Sequence, residues 1–286
     1  MQPARPNPDE NHKPHDDRID ADRLAAVAHL ATVEHLAEAE STMHRGRLLA
    51  TTAAAEALPA LVVADRQTDG RGRRGAGWWQ AAGSLAITLV IDPAWLGWST
   101  DAQRSPAASG WSLACGVALV EALQEAAPQV RGGLRWPNDV EVAGRKLAGI
   151  LAERSPSGRV LFGIGVNTSG TAADAPEPLR SRLVTIPDLV GHALPRQQLM
   201  EAFLPRLWDL LARLVQEPTL LRERYMPLCT LQGSAVTFHH GDEVVEGVCL
   251  GIDLNGALLL ETTAGPKAFH GGSLTPQSSQ WRHSGS

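Results

Sequence analysis

The stretch that decides the fold runs from residue 134 to residue 166 and reads LRWPNDVEVAGRKLAGILAERSPSGRVLFGIGV. It contains several short apolar runs separated only by turn-forming residues, which predicts consecutive strands without helices between them. The predicted strands cover residues 134–136, 140–142, 148–153 and 160–166. Because strands cluster in this way while helices lie apart, the chain is predicted to be an α+β protein with a mixed sheet and no regular βαβ alternation.

Helical periodicity and two further strands surround this stretch. A helix is predicted to begin after Ser41 and Thr42 and to run toward Leu58, where Pro59 ends it. Two continuous apolar runs are typical of strands buried on both faces, and these are residues 61–64 and 85–91. Apolar residues recur at helical spacing in three segments, 21–30, 109–127 and 199–214.

The end of the chain has a different pattern. Three short strands are predicted at 235–238, 244–250 and 257–261, and Asn255-Gly256 favours a two-residue type I′ hairpin turn. Such a segment predicts a small β-barrel. The chain is therefore divided into a disordered tail (1–18), a main domain (19–228), the small barrel (229–276) and a second disordered tail (277–286).

Composition excludes several classes of protein. The chain carries 26 Lys and Arg against 31 Asp and Glu, a net charge of −5, which argues against wholesale binding to nucleic acid or an anionic membrane. The longest apolar run, residues 85–91, is far shorter than the roughly 20 residues of a membrane helix. No secretory signal is recognised at the start, so a cytoplasmic location is predicted. Three cysteines without a Cys-x-x-Cys pair argue against a disulfide framework or a zinc ribbon.

The glycine-arginine loop, Gly70-Arg71-Gly72-Arg73-Arg74-Gly75, is the most unusual motif. Its glycines allow the backbone to approach a ligand closely, and its guanidinium groups are forked donors suited to phosphate or carboxylate oxygens. The loop lacks the Gly-Lys-Ser/Thr ending of a Walker loop. Two interpretations stay open from these residues alone: an anion-binding loop, or an arginine-glycine segment that touches RNA or simply lies solvated.

Two further motifs have the same ambiguity. Lys146 stands just before an apolar strand, where it either points a charge into a cleft or, as its spacing alone favours, lies solvated at the strand end. Pro137 cannot sit within a central strand, so Asn138 and Asp139 are predicted in a turn. The small residues of 163–167, Gly-Ile-Gly-Val-Asn, allow either a ligand or a neighbouring strand to approach closely.

Together these motifs occur in the order and spacing of a biotin protein ligase, and the chain resembles that family from about residue 39 to 274. They are Ser41-Thr42-Met43, Gln67 with the glycine-arginine loop, Trp136-Pro137-Asn138-Asp139, RKLAGIL at 145–151 and GIGVN at 163–167. The resemblance implies a mixed-sheet catalytic domain of the biotin/lipoate ligase type, followed by an SH3-like barrel. Only about 40 residues precede Ser41, which predicts the monofunctional type without an N-terminal DNA-binding domain.

The resemblance also implies a reaction and its partners. ATP, with Mg²⁺, activates biotin as biotinyl-5′-AMP, and the biotinyl group then passes to a lysine of a biotin carboxyl carrier domain of the acetyl-CoA or pyruvate carboxylase type. No DNA and no membrane are expected as partners, and the chain is expected to be a monomer or a weak homodimer.

Site residues follow from the resemblance position by position. Lys146 matches the lysine that contacts the biotin carboxylate and the α-phosphate, Arg71 and Arg73 close over the ligands, and Asp139 is a candidate base and Mg²⁺ ligand. The expected biotin contacts are Ser41, Thr42, Met43, Gln67, Arg71, Gly72, Arg73, Lys146, Gly149 and Gly165. The expected ATP contacts are Arg73, Arg74, Trp78, Arg135, Asn138, Lys146 and Asn167.

Three positions depart from the family pattern. Met43 stands where many members have Asn, so only a backbone or packing contact to biotin is expected there. Arg135 replaces a common Lys, and a planar fork binds phosphate differently from a point charge. Asp69 replaces a small neutral residue and is expected to pair with an arginine of the loop when the site is empty.

Two rival functions are retained. A lipoate-protein ligase is expected to share the fold and the adenylate chemistry, although the glycine-arginine loop and the Trp-Pro-Asn-Asp motif favour biotin. A nucleic-acid-binding regulator built on the arginine loop and the small barrel is the rival of another class, and the acidic charge balance argues against it.

Overall fold

The computed structural model describes residues 17–98 and 108–276, which form a larger mixed sheet with helices on both faces and a smaller antiparallel sheet. This is the predicted α+β class. Most of the two predicted tails, and residues 99–107, lie outside the described residues. In the described part of the chain, no helix is long and apolar enough to cross a membrane.

Seven α-helices are described, together with short 3₁₀ turns. The predicted helices at 21–30, 109–127 and 199–214 are present with slightly shifted ends. The helices are α1 (Ala21–Ala28), α2 (Thr42–Thr52), α3 (Ala108–Ala126), α4 (Glu177–Arg180), α5 (Ile186–Val190), α6 (Arg196–Arg213) and α7 (Leu220–Tyr225).

The larger sheet has seven strands in the order β1-β2-β3-β7-β6-β5-β4. Only the β1–β2 pair is parallel, so the sheet is mixed as predicted. Its strands are β1 (Thr32–Ala39), β2 (Ala60–Gln67), β3 (Leu85–Ile91), β4 (Gly133–Arg135), β5 (Asp139–Val142), β6 (Arg145–Arg154) and β7 (Val160–Val166).

The smaller sheet is the C-terminal antiparallel module, which is SH3-like as predicted, with its strands in the order β11-β10-β9-β8-β12. Its strands are β8 (Ala235–His240), β9 (Glu243–Ile252), β10 (Leu258–Thr262), β11 (Gly265–Phe269) and β12 (Ser273–Pro276).

Burial on both faces of the larger sheet explains its composition. Every residue of β3 is buried, as its continuous apolar sequence predicts. Leu85, Ile87, Leu89 and Ile91 join the main core with α3 and α6, whereas Val90 joins a smaller cluster under α2 on the opposite face. The sheet is therefore covered on both sides, and its centre is rigid enough to position a site.

The sheet splits where β2 and β3 separate. Their antiparallel pairing ends at Val63 and Ile87, although β2 continues to Gln67 beside β1 and β3 continues back to Leu85 beside β7. The chain between the two strands forms a hairpin over this split. The opening lies at the N-terminus of α2 and becomes the cleft described below.

Several predicted details are corrected. Strand β1 was not predicted at all, and α2 ends at Thr52 instead of near Leu58, since a 3₁₀ turn at Ala55–Ala57 follows it. The β9–β10 turn is not type I′: Gly256 alone has positive φ, and the Gly256 N–H donates to the carbonyl of Asp253, as in a type I turn followed by a bulge.

The predicted N-terminal tail is too long by its last residues. Asp17 accepts hydrogen bonds from the backbone N–H and the Nε of the buried Arg196, at 3.0 and 2.6 Å. Asp20 caps α1 by accepting from the N–H of Arg23. The chain is therefore anchored on α6 from Asp17 onward. The other predicted domain boundaries stay predictions.

Candidate active site

Two adjoining cavities form one cleft at the split in the sheet. The first, of about 390 Å³, is lined by every residue predicted to contact biotin. The second, of about 530 Å³, opens beside it toward the C-terminal module. Both are lined by Arg73, Trp78, Asn138, Asp139 and Lys146, so the two cavities are continuous.

The glycine-arginine loop forms a short β-hairpin over the cleft. The Trp78 N–H donates to the carbonyl of Gly70 at 2.8 Å, and the Gly72 N–H donates to the carbonyl of Ala76 at 2.7 Å. At the tip, Arg74 and Gly75 both have positive φ, which reverses the chain. Residues 70–78 are hereafter called the arginine hairpin. It places Arg71 and Arg73 on the wall of the first cavity.

Lys146 and Asp139 form an ion pair at the centre of the cleft. Asp139 begins β5 and Lys146 is the second residue of β6, and the hairpin between these two strands brings the side chains together. Lys146 Nζ lies 2.6 Å from Asp139 Oδ1 and 5.6 Å from the centroid of the Trp78 ring. The ammonium group therefore faces both a carboxylate and an aromatic face inside the cleft, instead of lying solvated at a strand end.

A polar network closes the deep end of the first cavity. Gln67 Oε1 accepts from the N–H of Thr42 at 2.9 Å and from its hydroxyl at 3.1 Å. The Thr42 hydroxyl in turn accepts from the buried Thr88 hydroxyl at 2.9 Å. Ser41 caps α2 by accepting from the N–H of Met43. The donors and acceptors at this end are therefore fixed by the start of the helix.

Glycines make room for the slot between these ends. A Cβ on Gly165 would lie 2.5 Å from two atoms of the Trp78 ring, and a Cβ on Gly149 would lie 3.2 Å from the same ring. The Met43 side chain covers Gly163 in the same way, with Sδ 2.7 Å from a Cβ there. Met43 is buried and contributes packing to the wall of the first cavity.

Three of the cleft's cations are held by carboxylates. Arg71 Nη2 lies 2.7 Å from Asp69 Oδ2, which is the ion pair expected from the unusual Asp69. Arg135 Nη1 lies 3.1 Å from the buried Glu141. Together with the Lys146 pair, this arrangement keeps positive charge in the cleft while each group has a counter-ion.

Arg73 differs from these three cations. It donates to Asn138 Oδ1 at 3.3 Å and to the carbonyl of Gly272 at 3.2 Å, and no carboxylate pairs with it within the described residues. Burial lowers the pKa of Arg73, the adjacent Arg74 lowers it further, and Asp139 acts in the opposite direction. Arginine nevertheless stays protonated, so a bound anion would relieve this unfavourable environment.

The last strand of the C-terminal module forms one wall of the second cavity. Besides the Arg73 contact with Gly272, Arg74 Nη1 lies 3.5 Å from the Ser273 hydroxyl, and Arg135 Nη2 donates to the carbonyl of Leu274 at 2.7 Å. Residues 272–274 thus bind three arginines of the larger domain. The second cavity is therefore shared between the two modules.

Asn167 has one side-chain atom in a structural hydrogen bond and another on the wall of the second cavity. Its Nδ2 donates to the carbonyl of Val184 at 3.0 Å, and it is buried at the end of β7. Its Oδ1 is buried without a hydrogen-bond partner among the described residues, on a wall of the second cavity. One polar atom of Asn167 is thus left for a ligand.

Sequence reasoning missed four residues of this site. Thr88 could have been noticed as the one polar residue within the apolar run 85–91, but Gln80, Arg182 and Ser273 have no local signal. Arg182 is exposed, lines both cavities, and its carbonyl accepts the N–H of Lys146 at 2.9 Å. These residues reach the cleft only through the tertiary fold.

Sequence profiles identify both modules. The profile of the Biotin/lipoate A/B protein ligase family matches residues 40–169, and that of the Biotin protein ligase C terminal domain matches residues 232–273. The matches cover strands β2 to β7, the arginine hairpin and strands β8 to β11.

Individual relatives agree with the profiles. The biotin--[acetyl-CoA-carboxylase] ligase of Paracoccus denitrificans is 35% identical over 213 residues, covering 72% of this chain and 85% of the relative. The bifunctional ligase/repressor BirA of Bacillus subtilis is 31% identical over 258 residues, covering 85% of this chain and 72% of the relative. A solved biotin protein ligase from Aquifex aeolicus, in complex with biotin and ATP, superposes with a TM-score of 0.73 at 25% identity, covering 86% of this chain and 99% of that chain.

The fold and cleft define an adenylate-forming ligase of the biotin/lipoate type. With the similarities above, the chain belongs to the biotin protein ligase family.

Proposed function

We propose that the cleft activates biotin with ATP and transfers the biotinyl group to a lysine of a carrier protein. The observation that carries this proposal is that Lys146 lines both of two continuous cavities. The first ends at the hydrogen-bonded Thr42 and Gln67, and the second lies beside Arg135 and the buried Asn167. A single ammonium group there reaches the acid end of one ligand and the phosphates of another. The family membership of the chain supports the same reaction.

Biotin fits the first cavity by the chemistry of its two ends. The ureido group, which has both donors and an acceptor, faces Thr42 and Gln67, and Ser41 holds the same helix start. The apolar ring and chain pass along the glycine strands beside Trp78. Gly72 and Gly149 keep the wall thin, and the carboxylate ends near Lys146.

In the first step, a carboxylate oxygen of biotin attacks the α-phosphorus of ATP. The bond from that phosphorus to the bridging oxygen of the β-phosphate breaks, and pyrophosphate leaves with the electron pair. Lys146 and Arg73 are fixed cations where negative charge accumulates, and Arg71 closes from the hairpin side. Arg135 and Asn167 line the second cavity, which receives the nucleotide, whereas Arg74 lines the first cavity.

In the second step, the neutral amine of the acceptor lysine attacks the acyl carbon of biotinyl-5′-AMP. The bond from that carbon to the phosphate oxygen breaks, AMP leaves, and the nitrogen loses a proton. Asp139 is the carboxylate placed to receive that proton, once the ligand phosphate has replaced it beside Lys146. The arginine hairpin covers the mixed anhydride, which limits its hydrolysis by water.

The residues fit magnesium as an ion carried by ATP. Among residues 17–98 and 108–276, no three His, Cys, Asp or Glu side chains are grouped to hold a metal. Magnesium needs only one or two carboxylates when substrate phosphates supply other ligands, and Asp139 would provide one oxygen. Bound there, the ion would neutralise charge on the phosphates.

The acceptor is proposed to be a carboxyl carrier domain of the acetyl-CoA or pyruvate carboxylase type. The chain is proposed to work in the cytoplasm as a monomer or weak homodimer, without DNA. These proposals rest on the family resemblance and the acidic composition.

The test is the transfer of labelled biotin to a carrier domain, together with biotin-dependent ATP–pyrophosphate exchange. We expect Lys146→Ala to lower exchange by roughly 100- to 1000-fold, the usual effect of removing one preorganised electrostatic contact. The exposed Lys267 offers a matched control, and Lys267→Ala should leave exchange unchanged. Exchange supported by lipoate but not by biotin, or full activity of Lys146→Ala, would contradict the proposal.

A further inference from the structure

The end of β2 lacks its antiparallel neighbour just where the cleft opens. Pairing between β2 and β3 stops at Val63, so the carbonyl of Asp65 and the N–H of Gln67 have no partner on β3. Unpaired backbone groups at a half-buried strand end cost free energy unless another group satisfies them. Here that group is a side chain.

Gln80 supplies one carboxamide in place of the missing strand. Its Oε1 accepts from the Gln67 N–H at 3.0 Å, and its Nε2 donates to the carbonyl of Asp65 at 3.2 Å. The same Nε2 donates to the carbonyl of Ser84, just before β3, at 2.9 Å. Because an N–H must meet the oxygen and the carbonyls must meet the nitrogen, these partners also fix which way the amide faces.

The backbone that Gln80 holds carries the polar end of the first cavity. Gln67 Oε1 accepts both hydrogen bonds of Thr42, and the arginine hairpin begins three residues later at Gly70. Gln80 itself does not line either cavity, so it acts on a ligand only through Gln67.

We propose that Gln80 is a positioning residue for substrate binding: its side-chain amide replaces a peptide group of the absent strand and fixes the Gln67 carboxamide toward the ligand. The proposal rests on the proposed function, since biotin is the ligand whose ureido group Gln67 meets. A positioning role for Gln80 explains how β2 and β3 can separate at the cleft while the end of β2, which carries Gln67, stays hydrogen-bonded.

A role limited to holding the fold together would give a different result. In that case, removing Gln80 would lower the melting temperature but leave the affinity of the folded protein for biotin unchanged. A positioning role changes the dissociation constant for biotin measured without ATP, and it changes the KM for biotin more than the KM for ATP.

The experiment compares biotin binding by calorimetry in the full-length wild type, Gln80→Ala and Gln80→Glu. We expect Gln80→Ala to weaken biotin binding by about tenfold, the effect of misplacing one polar contact. Gln80→Glu keeps an acceptor for the Gln67 N–H but turns an oxygen toward the carbonyls of Asp65 and Ser84, so it should also weaken binding. It preserves size and keeps the test valid if the alanine variant does not fold.

Gln197 offers a matched control. Its carboxamide also bridges two segments, accepting from the Asp20 N–H at 3.2 Å and donating to Glu201 at 2.6 Å, but it lies outside both cavities. Gln197→Ala should lower the melting temperature while biotin affinity stays within about twofold of wild type, since it changes no contact to the ligand.

A double-mutant cycle with Gln67→Ala completes the test. If Gln80 acts through Gln67, Gln80→Ala should have little further effect on biotin affinity in the Gln67→Ala background. Unchanged biotin affinity in both folded Gln80 variants, or fully additive effects in the cycle, would overturn the positioning role. A wild-type protein that does not bind biotin would instead contradict the proposed function.

Discussion

At the scale of single residues, two cations of the cleft are held in ion pairs with carboxylates. Asp69 holds Arg71 and Asp139 holds Lys146, at 2.7 and 2.6 Å. An anionic ligand must therefore exchange places with a carboxylate before it binds either cation. This exchange lowers the net binding free energy gained from each contact. Until a ligand binds, however, the ion pairs hold both cations in fixed positions.

Removing the charge of Asp69 should strengthen ligand binding. Both members of its ion pair are about half exposed, so the pair contributes about 0.2–1 kcal/mol, and Asp69→Asn should tighten the binding of biotin with ATP by about two- to fivefold. The gain should shrink at high salt and vanish in an Arg71→Ala background. Glu38→Gln, which breaks the exposed pair of Glu38 with Arg66, is the control. Unchanged affinity in Asp69→Asn would show that Asp69 does not compete for Arg71.

The sequence predicted the chemistry-bearing side chains of the cleft better than their supports. Lys146 and Arg73 stand in motifs whose residue types suit anion binding, and the structure brings them to one cavity. Gln80 and Arg182 could not be predicted, because their importance depends on partners supplied by the fold. A glutamine that bonds only to backbone looks, in a sequence, like any surface glutamine.

At the scale of elements, the packing of strand β7 depends on its glycines, which have no side chain. Gly165 faces the Trp78 ring so closely that a single added carbon would meet it at 2.5 Å. The strand and the hairpin therefore fit only while this position stays bare.

Gly165→Ala should disturb the slot without unfolding the sheet. Overpacking costs about 1–3 kcal/mol, so biotin affinity should fall by about tenfold or more as Trp78 is displaced. Gly271→Ala is the control, because a Cβ at Gly271 meets open space. Calorimetry with biotin measures the affinity, and hydrogen exchange over residues 70–78 should rise in Gly165→Ala. Wild-type affinity in this variant would mean that the hairpin adapts without loss.

Elements with strong apolar patterns were predicted, and those without them were missed. β3 and β7 are buried on both faces and appear as continuous apolar runs. β1, with the sequence TVEHLAEA, is an edge strand that pairs only with β2 and is nowhere fully buried, so its polar residues hide its periodicity. Strand β11, GPKAF, is an exposed edge as well. Its strand structure comes from pairing with β10.

At the scale of the whole molecule, a charge network fastens the N-terminal segment to the sheet. Asp65 Oδ1 lies 2.8 Å from both His35 Nε2 and Arg196 Nη1, and Arg196 also binds Asp17. Burial raises the pKa of Asp65, but the hydrogen bonds from His35 and Arg196 outweigh it and hold the pKa below its usual value.

This network should contribute stability that depends on pH. Because the folded pKa of Asp65 is lowered, its contribution is fully present above the unfolded pKa of about 3.9 and is lost as pH falls through the folded value. Since Asp65 is partly exposed and solvent screens it, Asp65→Asn should lower the free energy of unfolding at pH 7 by about 1 kcal/mol.

Urea unfolding at a series of pH values measures this contribution. The difference between wild type and Asp65→Asn should be constant above about pH 5 and should shrink below about pH 4. Glu56→Gln, at an exposed carboxylate in a 3₁₀ turn, is the control. A difference that grows as the pH falls would contradict the assigned sign.

The contacts of residues 272–274 with Arg73, Arg74 and Arg135 have a consequence for how the enzyme is made. Those arginines lie in segments synthesised long before the strand that receives them. A nascent chain can thus build the sheet and the slot for the vitamin while its guanidinium groups still lack these acceptors. The second cavity takes its final form only when the ribosome has delivered β12, so the order of synthesis delays a complete cleft until both modules exist.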